Sequence, residues 1–165
     1  MQKIILFLLL TAIVLSCNNN NRDIQNLQNK INLLQSKIDS AYKPGFGEFM
    51  SSIQVHHEKL WFAGINQNWA LADFEMGEIK EALDGIKEYC TDRPETASLK
   101  MITEPLENVN NAIAQKNLTQ FKNNFTALTA TCNSCHQETN HAFNTIKIPE
   151  TPPFSNQDFK LQTGK

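Results

Sequence analysis

The amino-acid sequence has little net charge, few cysteines and no run long enough to span a membrane, and each scarcity excludes a class of protein. A formal net charge of −2 over 165 residues leaves no excess of basic residues of the kind that binds nucleic acid. The one long apolar run, Ile4 to Leu15, has 12 residues and is too short to cross a bilayer as a helix. The length suits one domain with a short appendage.

This apolar run has the arrangement of an export signal. It follows Lys3 and ends in Val14-Leu15-Ser16-Cys17, which resembles the lipobox of bacterial lipoproteins, where the cysteine becomes the acylated first residue. We therefore predict a signal peptide over residues 1–16 and a lipid anchor on Cys17 that holds the chain to a membrane outside the cytoplasm. The lack of Asp after Cys17 favours the outer membrane, with the protein facing the periplasm.

Two of the four cysteines lie in the segment Cys132-Asn133-Ser134-Cys135-His136. On a helix, both thiols and the imidazole would share one face, so the thiols can join the two vinyl groups of one porphyrin while His136 binds the iron. A zinc site would need four ligands, and no second CxxC is present. A thioredoxin-type dithiol would lie near a βαβ pattern, which the sequence lacks. The segment predicts one covalent haem c.

Two further residues with reactive side chains, Cys90 and His141, each allow more than one interpretation. Cys90 is left unpaired, so no even-numbered disulfide framework can form; we expect a small buried residue, with an intermolecular disulfide as the alternative. His141 follows His136 by five residues and is expected on the surface. Contact with a haem propionate or with the C-terminal tail is its alternative.

A short heptad pattern precedes the main domain. Its apolar seam predicts a helix over residues 23–41 within the segment 17–44, which also holds the lipid anchor and a polar spacer. Two interpretations remain open: a stalk that pairs two copies of the chain in a homodimer, or a lone helix that folds back on the domain. The seam consists of Ile24, Leu27, Ile31, Leu34, Ile38 and Ala41.

Four more helical stripes follow, and short connections between them predict an all-α, antiparallel four-helix bundle over residues 45–145. Helix D should begin after an Asn117 cap, and Pro105 should kink or restart helix C. The haem would lie near the end of the last helix. The stripes run from Phe46 to Gly64 (helix A), Trp69 to Cys90 (helix B), Leu99 to Ile113 (helix C) and Leu118 to Cys135 (helix D).

Two other stretches have open interpretations. The Pro-rich tail, residues 146–165, could lie over the bundle or the haem edge through Phe154 and Phe159, or else be disordered. An acidic set on helix B is expected to be a solvated face, with a docking patch for a basic partner as the alternative. The set is Asp73, Glu75, Glu78, Glu81, Asp84 and Glu88.

A four-helix bundle with CxxCH near the end of its last helix resembles the cytochrome c′ and c-556 group, over Phe46 to Phe143. The resemblance implies a haem near one end and a sixth iron position that is open or filled by methionine from the first helix. Gln137 departs from the basic residue that commonly follows the haem histidine. The stretch His56 to Gly64, with Asn68-Trp69, looks like a related group of small exported monohaem cytochromes.

The sixth iron position separates the candidate functions. His57 lies on the core stripe of helix A and is the first candidate ligand; an empty position and Met50 are the alternatives. A filled position predicts a one-electron carrier for redox partners at the membrane, whereas an open one predicts binding of NO or CO. No acid–base pair is evident beside the haem, so we do not expect an enzyme.

Overall fold

The computed structural model describes residues 21–38 and 43–161, and every regular element among them is helical. No β-strand occurs in these ranges, which confirms the predicted all-α class. None of the helices in the described part of the chain is both long enough and apolar enough to pass through a membrane. The predicted signal peptide and the lipidated Cys17 lie outside the described residues.

The chain divides between Lys43 and Pro44 into two units, which are described separately. In the first unit, residues 21–38 are helical throughout. The seam side chains from Ile24 to Ile38 are between 55% and 62% exposed, so the seam presents apolar surface to solvent. Ala41, the last predicted seam residue, lies outside the described ranges.

The second unit contains four α-helices and one 3₁₀ helix. Helix α3 begins at Thr103, so Pro105 is its third residue. The first four backbone N–H groups of a helix have no acceptor within the helix, so proline, which lacks an N–H, costs no hydrogen bond there. The restart predicted near Pro105 is therefore confirmed, and the first part of predicted helix C is a 3₁₀ helix instead. The elements are α1 Phe46–Ile65, α2 Trp69–Tyr89, the 3₁₀ helix Pro94–Ile102, α3 Thr103–Ala114 and α4 Leu118–Glu138.

Two short loops of the second unit share one design. Residues 66–68 join α1 to α2, and residues 115–117 join α3 to α4. The middle residue of each is left-handed, with φ of 56° at Gln67 and 52° at Lys116. The last residue caps the next helix, because Asn68 Oδ1 accepts from a backbone N–H of α2 and Asn117 Oδ1 from one of α4. The predicted Asn117 cap is confirmed.

The core lies between the helices of this unit. Helix α1 packs on α2 and α3 packs on α4, and the α1–α2 pair then packs against the α3–α4 pair. Phe121 and Phe125 of α4 are completely buried, and the Trp61 ring of α1 lies 5.0 Å from that of Phe125. Gly64 leaves the space that Phe121 fills, since a Cβ there would lie 2.1 Å from the ring. Cys90 is buried, as predicted, with 4% of its surface exposed.

The tail is described as far as Leu161 and contacts the helices through Phe154 and Phe159. Phe159 is only 4% exposed and packs on Phe62, with ring centroids 5.7 Å apart. Phe154 is partly exposed and its ring lies 5.4 Å from Lys59 Nζ. Of the two interpretations of the tail, packing against the helices is therefore confirmed for the described part.

Candidate functional site

The last two turns of α4 form one wall of a cavity in the second unit. Cys132, Cys135 and His136 all line it, which is what a spacing of three and four residues on a helix predicts. The cavity has a volume of about 260 Å³. Its other walls come from the first part of α1, from the 3₁₀ helix and from the segment that follows α4.

Most of the lining is apolar. Such walls would keep a flat hydrophobic ligand out of water, while the polar side chains among them would fix its orientation. The apolar lining side chains include Phe46, Met50, Ile53, Leu83, Leu99 and Ile102.

His136 has one ring nitrogen engaged and the other available. Nδ1 lies 2.6 Å from the backbone oxygen of Asn144. Because a carbonyl can only accept, Nδ1 carries the proton, and Nε2 of the neutral ring keeps its lone pair. A histidine that binds a metal usually donates its second N–H in this way. The geometry therefore suits His136 as an iron ligand through Nε2.

The two motif thiols are held in their protonated form. Burial, as the largest cause, raises the pKa of Cys132 to about 11, and burial also raises the pKa of Cys135. A redox-active dithiol instead needs a cysteine whose pKa is lowered by a nearby positive charge or a helix N-terminus. The environment of these cysteines is therefore unlike that of a thioredoxin-type site, the alternative weighed from the sequence.

His57 reaches the cavity from α1 and is 5% exposed. Its Nε2 lies 2.9 Å from Thr129 Oγ1, and the same hydroxyl donates to the Phe125 carbonyl at 2.9 Å. Because the single hydroxyl proton is used there, Nε2 of His57 donates to Thr129. Burial lowers the pKa of His57 to about 4, so the ring is neutral near pH 7.

Met50 also lines the cavity, two turns before His57 on the same helix. It is half-buried, and its thioether is a soft ligand that binds haem iron in some cytochromes. The structure thus brings both predicted candidates for the sixth position, His57 and Met50, to the cavity that holds His136.

Sequence reasoning missed two charged residues at the cavity. Arg93 donates to Glu95 at 2.9 Å, and its guanidinium lies 5.9 Å from the Phe46 ring centroid. The hydrogen bond from Arg93 lowers the pKa of Glu95. Neither residue follows an apolar stripe, and the Pro94 that begins the 3₁₀ helix between them is the only local signal.

His141 lies nearer the cavity than predicted. It is half-buried, lines the cavity, and has Nδ1 2.7 Å from the carbonyl oxygen of Thr139. The expectation of an ordinary surface histidine is therefore wrong. The cause is a turn after α4, in which the His141 N–H bonds to the His136 carbonyl and returns the chain to the cavity.

The acidic set on α2 also needs a correction. Glu75 is 1% exposed, and its Oε2 lies 2.6 Å from His56 Nδ1. The other oxygen, Oε1, lies 3.8 Å from Lys59 Nζ and has no hydrogen-bond partner among the described residues. The prediction of a solvated face is wrong for this residue, because Glu75 turns toward α1 and pairs there.

No protein-family model, curated protein or solved structure matches this chain. A zinc site would require several His, Cys, Asp or Glu side chains placed around one point. In the described ranges, no group of three or more such side chains is placed to hold a metal ion. The cavity and its lining residues are therefore the features of the chain that indicate a function.

Proposed function

We propose that this chain is a membrane-anchored monohaem c-type cytochrome that carries single electrons outside the cytoplasm. In this proposal haem c is joined to Cys132 and Cys135 by thioether bonds, and His136 Nε2 binds the iron. The observation that carries it is that both thiols and this imidazole line one apolar cavity. Bound there, the haem would supply reversible one-electron chemistry.

The surroundings of the cavity fit a haem in three ways. Apolar side chains of α1 and the 3₁₀ helix would cover the porphyrin, and Arg93 would offer a cation to a propionate in exchange for its present partner Glu95. The bond from His136 Nδ1 to Asn144 leaves the correct nitrogen for iron. Cys132 and Cys135 are free thiols that line the same cavity, where each could add to a vinyl group.

We also propose the finer architecture, an antiparallel four-helix bundle with the haem near one end. Two sets of contacts support it. Trp61, late in α1, stacks near Phe121, early in α4, with ring centroids 6.3 Å apart. Met50, early in α1, lines the same cavity as His136, late in α4. Contacts in this reversed order are those of antiparallel neighbours.

The sixth iron position would be filled from α1 in an electron carrier. His57, the first candidate, would have to give up its bond to Thr129 before Nε2 could bind iron, or bind through Nδ1. Met50 requires no such exchange, because no described residue forms a hydrogen bond with it. This difference favours Met50 as the sixth ligand, whereas the sequence ranks His57 first.

The alternative function is a cytochrome c′-like protein that binds NO or CO at an open sixth position. The same His57–Thr129 bond favours it, because it holds the candidate nitrogen away from a metal. In either case we propose that acylated Cys17 fixes the chain to the envelope, with the outer membrane favoured and the domain facing the periplasm. Its partners would be redox proteins at that membrane, and no catalytic activity is proposed.

The test is to produce the chain together with haem-maturation proteins and to record absorption spectra of the oxidised, reduced and CO-treated forms. Covalent haem is expected in the chain and in Cys90→Ser, a matched control because Cys90 is a buried free thiol that does not line the cavity. It is expected to be impaired in Cys132→Ser and Cys135→Ser. A chain without covalent haem would overturn the proposal.

Spin state then separates the two functions. A low-spin spectrum that CO leaves unchanged supports the electron carrier, and the ligand is the residue whose replacement, Met50→Ala or His57→Ala, converts the iron to high spin. A high-spin spectrum that shifts with CO supports gas binding and contradicts the electron carrier.

A further inference from the structure

Two side chains of the CxxCH segment form hydrogen bonds with the chain that follows it, His136 with Asn144 and Asn133 with Ile146. Asn133, between the two cysteines, forms two hydrogen bonds with the backbone of Ile146. Its Nδ2 donates to the Ile146 carbonyl at 2.8 Å, and its Oδ1 accepts from the Ile146 N–H at 2.8 Å. The side-chain amide thus pairs with Ile146 as one peptide group pairs with another across a sheet.

Two residues before Ile146 lies the carbonyl that accepts from His136 Nδ1, at Asn144. Asn144 is an exposed residue at the edge of the cavity. The Asn144 N–H bonds to the His141 carbonyl at 2.8 Å, which fixes the segment on one side. Asn133 fixes it on the other side through Ile146, and the carbonyl is held between these two points.

We propose that Asn133 is a positioning residue for the iron-binding histidine. By holding the backbone of Ile146, it keeps the Asn144 carbonyl where His136 Nδ1 can donate to it. This inference rests on the proposed function, since the orientation of His136 Nε2 matters only when iron is bound. It assigns a role to a position of the CxxCH segment that forms no bond to haem.

The consequence is electronic as well as geometric. A carbonyl that accepts from Nδ1–H makes the imidazole a stronger electron donor and orients its ring toward the metal. A stronger donor favours ferric over ferrous iron and so lowers the midpoint potential. Loss of the Asn133–Ile146 pair should loosen the carbonyl, weaken this donation and shift the midpoint potential upward.

The experiment compares Asn133→Ala and the nearly isosteric Asn133→Leu with Ser134→Ala in the haem-loaded chain. Ser134 is the matched control, because it is the other residue between the cysteines, is exposed, and donates only to the Ala130 carbonyl within its own helix. Redox titration gives the midpoint potential. Hydrogen exchange by mass spectrometry over residues 144–148 reports the attachment of the segment, and circular dichroism reports the fold.

Both Asn133 variants should show an upward midpoint shift and weaker protection from exchange, by about fivefold for each of the two hydrogen bonds to Ile146 that are lost. Ser134→Ala should match the parent chain in both. Asn133→Leu keeps the side-chain volume, so it decides the matter if Asn133→Ala unfolds. Haem in every chain with an unchanged midpoint in folded Asn133 variants would overturn this inference alone. Absence of covalent haem from the parent chain would overturn the proposed function and this role together.

Discussion

At the scale of single residues, His57 shows that the hydrogen-bond partner of a side chain can depend on the tertiary structure alone. The core stripe of α1 predicts a buried position, and the side chain is 5% exposed. Its partner is the Thr129 hydroxyl, 72 residues later and on another helix. No periodic pattern contains that pairing, because it depends on how α1 and α4 pack.

The buried neutral state of His57 should make the haem-free chain sensitive to acid. The pKa of His57 is about 4 when folded and 6.5 when unfolded, so between these values only the unfolded chain binds the proton. Stability present above pH 6.5 is therefore lost as the pH falls, by about 2 kcal/mol at pH 5. Urea unfolding of Cys132→Ser/Cys135→Ser at pH 7 and pH 5 measures it. When His57→Phe is added to this chain, the stability lost between pH 7 and pH 5 should be smaller by about 2 kcal/mol. Equal losses in the two chains would contradict the buried, neutral state of His57.

Gly64 is a residue whose small size is needed for packing. Gly64→Ala should lower the free energy of unfolding by about 1–3 kcal/mol, because the new Cβ would lie 2.1 Å from the Phe121 ring. Gly77→Ala is the control, since a Cβ at Gly77 in α2 meets nothing within 4 Å. That change should raise stability by up to about 1 kcal/mol through helix propensity alone. Chemical denaturation compares them, and a stabilised Gly64→Ala would refute the packing argument.

At the scale of elements, local sequence predicts most of the helical unit. The stripes of helices A, B and D, the Asn117 cap and the restart near Pro105 all depend on interactions within a few residues, and all are confirmed. The stripe of helix C is confirmed as an α-helix only from Thr103 onward. The 3₁₀ helix Pro94–Ile102 was not predicted, because it is short and carries one buried residue, Leu99. The 3₁₀ helix matters because it lines the cavity, and its local sequence does not indicate that position.

The shared loop design gives a prediction for Lys116. Its left-handed φ of 52° strains a residue with a side chain, whereas glycine adopts it freely. Lys116→Gly should therefore stabilise the chain by about 0.5–1 kcal/mol after the greater flexibility of unfolded glycine is counted. Lys122→Gly, within α4 and also exposed, should destabilise by about 1 kcal/mol. Thermal unfolding distinguishes the two, and destabilisation by Lys116→Gly would contradict the loop argument.

At the scale of the whole molecule, the cavity is assembled from parts that are far apart in the chain. The start of α1, the 3₁₀ helix, the end of α4 and the segment after it all contribute lining residues. The sequence predicts the thiols and His136 on one helix face, and it names His57 and Met50. It does not indicate Arg93, Glu95, Asn144 or Ile146, since their roles arise from contacts between elements.

The exposed seam of the first unit predicts association. We expect a chain that begins at Asn18, and so lacks lipid, to form dimers at high concentration, because pairing would bury Ile24, Ile31 and Ile38. Leu27→Glu/Leu34→Glu should shift it to monomer in sedimentation equilibrium. Asn29→Glu/Ser36→Glu adds the same charge off the seam and should leave the dimer intact. A monomer at every concentration would refute the stalk interpretation.

What the sequence determines by itself is local: helices from 3.6-residue stripes, a cap from Asn117, and the placement of Cys132, Cys135 and His136 on one helix face. These follow because the interactions concerned lie within a few residues of one another. Tertiary structure alone decides that His57 bonds to Thr129, that Glu75 is buried against His56, and that Asn133 holds Ile146 beside the acceptor of His136. Each of these needs two segments brought together by burial of the apolar faces, so no pattern within either segment could predict it.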